Sequence, residues 1–155
     1  MVREIIRRRA SDNEYLHKDF HGALSVGIEY LHRVYGEQAV RDYLGRFGRV
    51  FYAPLRDAIK ARGLIALKEH WENIYKIEGG RIEIELSDDE MILKVEACPA
   101  VVHMRRQGYP VAELYHETTR TVNDAICEAT GFAAELLEYE AQTGRSVQRF
   151  YRIER

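Results

Sequence analysis

His17 and His21 stand four residues apart in His17-Lys18-Asp19-Phe20-His21, a spacing that sets one imidazole above the other on a helix. Such a pair can activate a water molecule as general base, or supply the first ligands to a divalent metal such as zinc. Asp19 points elsewhere on the same turn and is no easy co-ligand to both. The plainer alternative is a pair of half-buried histidines bonded to backbone or carboxylates. Cys98 sits where a strand pattern gives way to a helix opened by Pro99. Amide donors and the positive helix end at such a junction lower a thiol pKa and make a nucleophile, whereas a buried Cys away from them is inert. His103, five residues on, is too far around that helix to act as its base. His116, Arg120, Asn123 and Cys127 recur at spacings of four, seven and eleven from the first, which places them on one helical face. Arg120 could grip a substrate carboxylate in a bidentate way, with His116 and Asn123 beside it. The same row also fits a polar helix flank with Cys127 tucked underneath.

The elements that must position these groups follow from hydrophobic period. Leu16, Phe20, Ala23, Leu24, Leu31 and Val34 predict a helix over 14–35 that ends at Gly36. Ser11-Asp12-Asn13-Glu14 has the capping-box form at its start. Val40, Leu44, Phe47 and Phe51 mark a second helix, which Pro54 should break or kink. A short helix over 55–61 closes at Gly63, and Leu64, Leu67, Trp71, Ile74 and Tyr75 mark another that ends near Gly79-Gly80. The period then changes to two. Ile82 to Leu86 and Met91 to Val95 read as a hairpin around Ser87-Asp88-Asp89-Glu90. A helix from Pro99 to Gln107, a turn over Gly108–Pro110, and a long helix over 111–130 closed by Gly131 follow. Phe132 to Tyr139 and Arg145 to Ile153 read as a second hairpin around Gln142-Thr143-Gly144. Trp71, His70 and most tyrosines (Tyr30, Tyr43, Tyr75, Tyr115) read as core or rim.

The predicted architecture is α+β: a helical N-terminal half packed on a mostly antiparallel four-stranded sheet, with a β-β-α-α-β-β second half. The 155 residues suffice for a single domain, 1–155, with a basic arm over 1–10 carrying Arg3, Arg7, Arg8 and Arg9. That arm fits a frayed or packed terminal turn better than a contact with anionic partners. Lys and Arg number 23 against 25 Asp and Glu, so the excess positive field that nucleic-acid binding exploits is absent. The short apolar runs predict no membrane span and no export signal. Cys98 and Cys127 are then expected as reduced thiols of a cytoplasmic protein. A nucleotide-binding glycine loop and a serine-nucleophile elbow are both missing.

The order of motifs resembles a family. His17-Lys18-Asp19-Phe20-His21-Gly22-Ala23-Leu24, Gly27-Ile28-Glu29-Tyr30-Leu31, Ala53-Pro54-Leu55, Cys98-Pro99, Glu117-Thr118-Thr119, Ile126-Cys127-Glu128 and Val147-Gln148-Arg149-Phe150-Tyr151 are similar to the bacterial proteins grouped as L-2-amino-thiazoline-4-carboxylate hydrolase-like. The resemblance runs over roughly residues 15 to 152. It implies hydrolytic opening of a cyclic, amidine-like thiazoline ring, an activity attached to a small part of a largely uncharacterised group. It also implies a kinship of fold with the 4-vinyl reductase type of small-molecule-binding domain. Relatives often carry cysteine where this chain has His116, Leu137 and Ser146; His116 could replace a cysteine ligand, Leu137 could not.

The expected function is therefore a small-molecule hydrolase acting on a non-peptide C–N bond. His17 or His21 would activate water or hold a metal, Cys98 would be nucleophile or third ligand, and Arg120, with His116 and Asn123, would hold a substrate carboxylate. The alternative is a non-catalytic binding or sensory domain in which the same groups orient a bound acid. An exposed apolar helix face would support a homo-oligomer.

Overall fold

The computed structural model describes residues 18–153. The basic arm over 1–10, the Ser11–Glu14 box and His17 lie outside the described residues. Four helices come first: α1 (Asp19–Tyr35), α2 (Glu37–Phe51), α3 (Ala53–Arg62) and α4 (Leu64–Glu78). Gly36, with φ 88°, turns the chain between α1 and α2, a conformation that side chains resist. The second helix is broken rather than kinked before Pro54, since α2 ends at Phe51. Pro54 lies in the first turn of α3, where a missing amide proton costs nothing.

The second half is β1 (Ile82–Leu86), β2 (Glu90–Val95), α5 (Pro99–Gln107), α6 (Glu117–Cys127), β3 (Phe132–Tyr139) and β4 (Ser146–Arg152). Its strands form one antiparallel sheet in the order β1-β2-β4-β3, so the hairpins join through β2 and β4. This is the α+β architecture expected from the change of period. Along β2, Met91, Leu93 and Val95 are buried, and Phe150 of β4 joins them on the inner face. The opposite face is laced with ion pairs, Lys94 to Glu85 at 2.5 Å and Arg149 to Glu90 at 2.6 Å. One face of the sheet thus carries the helices and the other is charged.

Three expectations are corrected. The helix predicted over 111–130 begins only at Glu117. The segment before it is tied down instead by Ser25 of α1, whose hydroxyl donates to Pro110 O (3.0 Å) and accepts from the Ala112 amide (2.8 Å). That bond takes an amide a longer helix would need. The buried face of α1 is only in part the expected stripe: Leu24 and Leu31 pack against the core, but Gly22, Ser25 and Ile28 point further inward, while Phe20 is 72% and Val34 49% exposed. Small residues let α1 lie close, as at Gly22, where a Cβ would stand 3.0 Å from the Tyr109 ring. Tyr30 and Tyr43, expected in the core, are exposed, whereas Tyr115 is buried.

Candidate functional site

Between the helices and the inner face of the sheet lies a cavity of about 220 Å³. The inner-face alternation of β2 and β4 supplies its floor, Leu93 and Gln148. Its walls come from both halves of the chain: His21 of α1, Trp71 and Glu78 of α4, Cys98 before α5, and Asn123 of α6. The structure thus brings together His21, Cys98 and Asn123, which the sequence set on three separate elements.

His21 Nε2 is 3.6 Å from Glu78 Oε1, within ion-pair reach but too long for a hydrogen bond. That nitrogen is buried and has no hydrogen-bond partner among the described residues. Glu78 ends α4, and Lys18 caps the same residue by donating to its carbonyl at 3.2 Å. An imidazole beside a carboxylate can take a proton from a bound group and be stabilised as the cation.

Cys98 adopts extended backbone ahead of α5, with its amide donating to Thr143 O at 2.8 Å. Gly144 packs against it so closely that a Cβ there would stand 2.5 Å from that of Cys98. The expected low thiol pKa is not found. Burial pushes the thiol up, and the amides of Val101 and Ala100 oppose this without overcoming it. Cys98 is a neutral thiol at neutral pH, so its use as nucleophile requires a base to deprotonate it as it attacks.

The rings of Phe47, Tyr52, Trp71 and Tyr75 continue the wall, and His70, which does not line the cavity, packs against two of them. Phe47 and Tyr52 meet edge to face at 6.1 Å, Tyr52 meets His70 at 5.6 Å, His70 meets Trp71 at 5.0 Å and Trp71 meets Tyr75 at 6.3 Å. Trp71 Nε1 is buried without a partner, as is His70 Nε2. Burial lowers the His70 pKa, so that ring is neutral. Burial also pushes the Tyr52, Tyr75 and Tyr115 hydroxyls up, leaving them protonated donors. At the floor, Asn123 Nδ2 donates to Gln148 Oε1 at 2.7 Å, and Gln148 Nε2 donates to Ser146 Oγ at 2.9 Å.

The rest of the predicted row lies elsewhere. Arg120 and His116 do not line this cavity. Arg120 donates to the fully buried carboxylate of Glu117, which also accepts from Thr121 Oγ1 at 2.6 Å and from Arg41 Nε of α2 at 3.2 Å. His116 lies 3.6 Å from that carboxylate and packs on Tyr139. Among the described residues no group of three or more His, Cys, Asp or Glu is arranged to hold a metal ion. His21 and Glu78 are two adjacent donors, which is fewer than a metal centre needs. Glu78, Trp71 and Gln148 were not foreseen as site residues. The only signal for Glu78 was an acid closing an apolar stripe just before Gly79-Gly80.

No helix among the described residues is long and apolar enough to cross a membrane. Comparison with protein-family models and with curated proteins finds no match for this chain.

Proposed function

We propose that the protein binds a small, flat, largely apolar molecule in the cavity between its helices and its sheet. One observation carries this reading: an aromatic-walled cavity of about 220 Å³ whose lining includes Trp71 and His21, each with a buried nitrogen that has no hydrogen-bond partner among the described residues. Mostly apolar walls with a few convergent polar groups are what small-molecule sites share. The ligand this suits carries an acceptor for the Trp71 indole and a polar edge for His21 and Glu78. Asn123 and Gln148 order the floor beneath it. Its free thiols, Cys98 and Cys127, suit a reducing compartment such as the cytoplasm.

Trp71 is the single tryptophan of the chain, so its fluorescence reports on the cavity alone. Titration with 8-anilinonaphthalene-1-sulfonate should quench it saturably, with energy transfer to the probe. Thr119→Phe, which fills the cavity from α6, should abolish the effect without unfolding the chain. Absent quenching, or quenching unchanged by Thr119→Phe, refutes the reading.

A second reading has its own support: His21, Glu78 and Cys98 share the cavity. In it, the chain is a hydrolase of a non-peptide C–N bond, as its resemblance to thiazoline-carboxylate hydrolases suggests. His21 takes a proton from water or from Cys98 Sγ, the oxygen or sulfur attacks the ring carbon between nitrogen and sulfur, and the imidazolium beside Glu78 returns the proton to the leaving nitrogen; where sulfur attacks, a water deprotonated by His21 then adds to the same carbon and displaces Cys98 Sγ, which takes the proton back from His21. Incubation with 2-aminothiazoline-4-carboxylate, read by mass spectrometry for addition of one water, tests it. Turnover lost in His21→Ala and Cys98→Ser supports this reading; binding without turnover leaves the first alone standing.

A further inference from the structure

We propose that the outer face of α1 is the interface of a two-fold homodimer, a proposal independent of what the cavity binds. Ala23, Val26, Gly27, Tyr30 and Val34 recur at helical spacing along that face, and each is exposed. Val26, Tyr30 and Val34 are 58%, 50% and 49% exposed and follow one another along a single helical face, which makes them a contiguous apolar strip rather than scattered residues. Gly27 lies in the helix interior, where glycine weakens the helix, and a Cβ added there would meet nothing within 4 Å. No contact within the described residues calls for glycine at that position, whereas close approach of another helix would.

The charges identify the occupant as a second copy. Glu29 and Arg33 flank the stripe on one side, and neither has an ion-pair partner among the described residues. They line a groove of about 640 Å³ between α1 and the Pro110–Glu113 segment, with Glu113 at its rim. In an isologous pairing the same patch meets itself. Antiparallel crossing of the two α1 helices near Tyr30 sets Val26 against Val34 of the other copy. The same crossing brings Glu29 within one turn of Arg33 of the other copy, twice over, and leaves each Gly27 facing the opposite Tyr30 or Val34. A tyrosine at the centre of an apolar strip with charges at the rim is the usual anatomy of such a contact.

Sedimentation velocity of the full chain over a concentration series tests the proposal. The wild type should form a dimer, and Tyr30→Glu, at an exposed position that leaves the fold intact, should make it monomeric. Glu29→Arg should weaken the dimer by about ten-fold or more, since it sets like charges against each other. The double variant Glu29→Arg/Arg33→Glu should restore it. A wild type that stays monomeric up to ~0.1 mM, where a micromolar dimer is saturated, overturns the proposal. So does a dimer indifferent to Tyr30→Glu, or a double variant no tighter than Glu29→Arg alone.

Discussion

Replacing Glu117 with glutamine tests whether a buried charge fastens α2 to α6. The carboxylate is 0% exposed and accepts from Arg120, Thr121 and Arg41, whose own side chains on the arginines are 45% and 35% exposed. Breaking a fully buried ion pair costs about 3–5 kcal/mol, mostly because the surviving charge is stranded. Here the stranded arginines can reach water, and an amide retains part of the hydrogen bonding, so the expected loss is about 2 kcal/mol. Burial alone would raise the Glu117 pKa, but hydrogen bonds from Arg120, Thr121 and Arg41 and the charge of Arg120 outweigh it, and the pKa is lowered. A lowered native pKa contributes stability that is present above the ordinary value of 4.5 and is lost as pH falls through the native value. Urea unfolding of wild type and Glu117→Gln at neutral pH and below pH 4.5 therefore reads both quantities. The gap between the two proteins should be widest at neutral pH and narrow in acid. A gap under about 0.5 kcal/mol, the range of an ordinary surface change, would refute the reasoning. A gap independent of pH would do so as well.

The other expectations are simpler. Alkylation of Cys98 in the folded chain at pH 7.5 should be roughly ten-fold or more slower than in urea, because burial holds it as a thiol, and equal rates would contradict that. Cys127, pushed up to about 12, should stay unmodified until the chain unfolds. Since both native thiols titrate above the ordinary 9.0, stability should be full below that pH and fall as pH rises through the native values, which thermal melts would follow. Gly48→Ala sets a Cβ 2.8 Å from that of Ala125, so an overpacking cost of about 1–3 kcal/mol should exceed the gain of about 1 kcal/mol in helix propensity. A raised melting temperature would show that α2 and α6 separate more easily than their contact suggests. Ser25→Ala removes the partner of the buried Ala112 amide, for an expected loss of about 1–3 kcal/mol and faster hydrogen exchange at Ala112. Unchanged exchange would mean the segment is held by something else.

The strands were legible because an alternation such as Ile82-Glu83-Ile84-Glu85 fits one buried and one charged sheet face and little else. The face of α1 was not, because period identifies a helix without saying which of its apolar residues meets the core. Gly22 and Ser25 are inside because closeness and a hydrogen bond to the 110–112 segment outweigh hydrophobicity there, and both depend on residues 85 or more positions away. The start of α6 was misplaced for the same reason. His21 and Cys98 could be singled out by chemical type, but their shared cavity depends on how α1 lies across α5. Arg120 shows the converse limit. An arginine at helical spacing from His116 reads as a free cation until Glu117, a neighbour in sequence, proves to be its buried partner.

The groups left without partners bear most directly on what fills the cavity. A buried donor with no acceptor costs about 1–3 kcal/mol, so Trp71 Nε1 and His21 Nε2 together oppose folding by a few kcal/mol unless something meets them. Water is one candidate, since about 30 Å³ accommodates one molecule in the liquid. Yet a water stays ordered only where it finds two to four polar partners, and Trp71 packs ring against ring on Tyr75 and His70. Displacing a poorly held water with a flat molecule that carries its own acceptor costs little and satisfies the indole. The consequence is measurable as linkage: a ligand at one hundred times its Kd should stabilise the fold by about 2.7 kcal/mol. Trp71→Phe should lower the affinity of an acceptor-bearing ligand, while the empty protein should lose no more than the ~1 kcal/mol of packing that the smaller ring forfeits, since the unpaired N–H is removed with it. If Trp71→Phe destabilises the empty protein by more than about 1.5 kcal/mol, the indole N–H has a partner in solution and the argument from unmet donors fails.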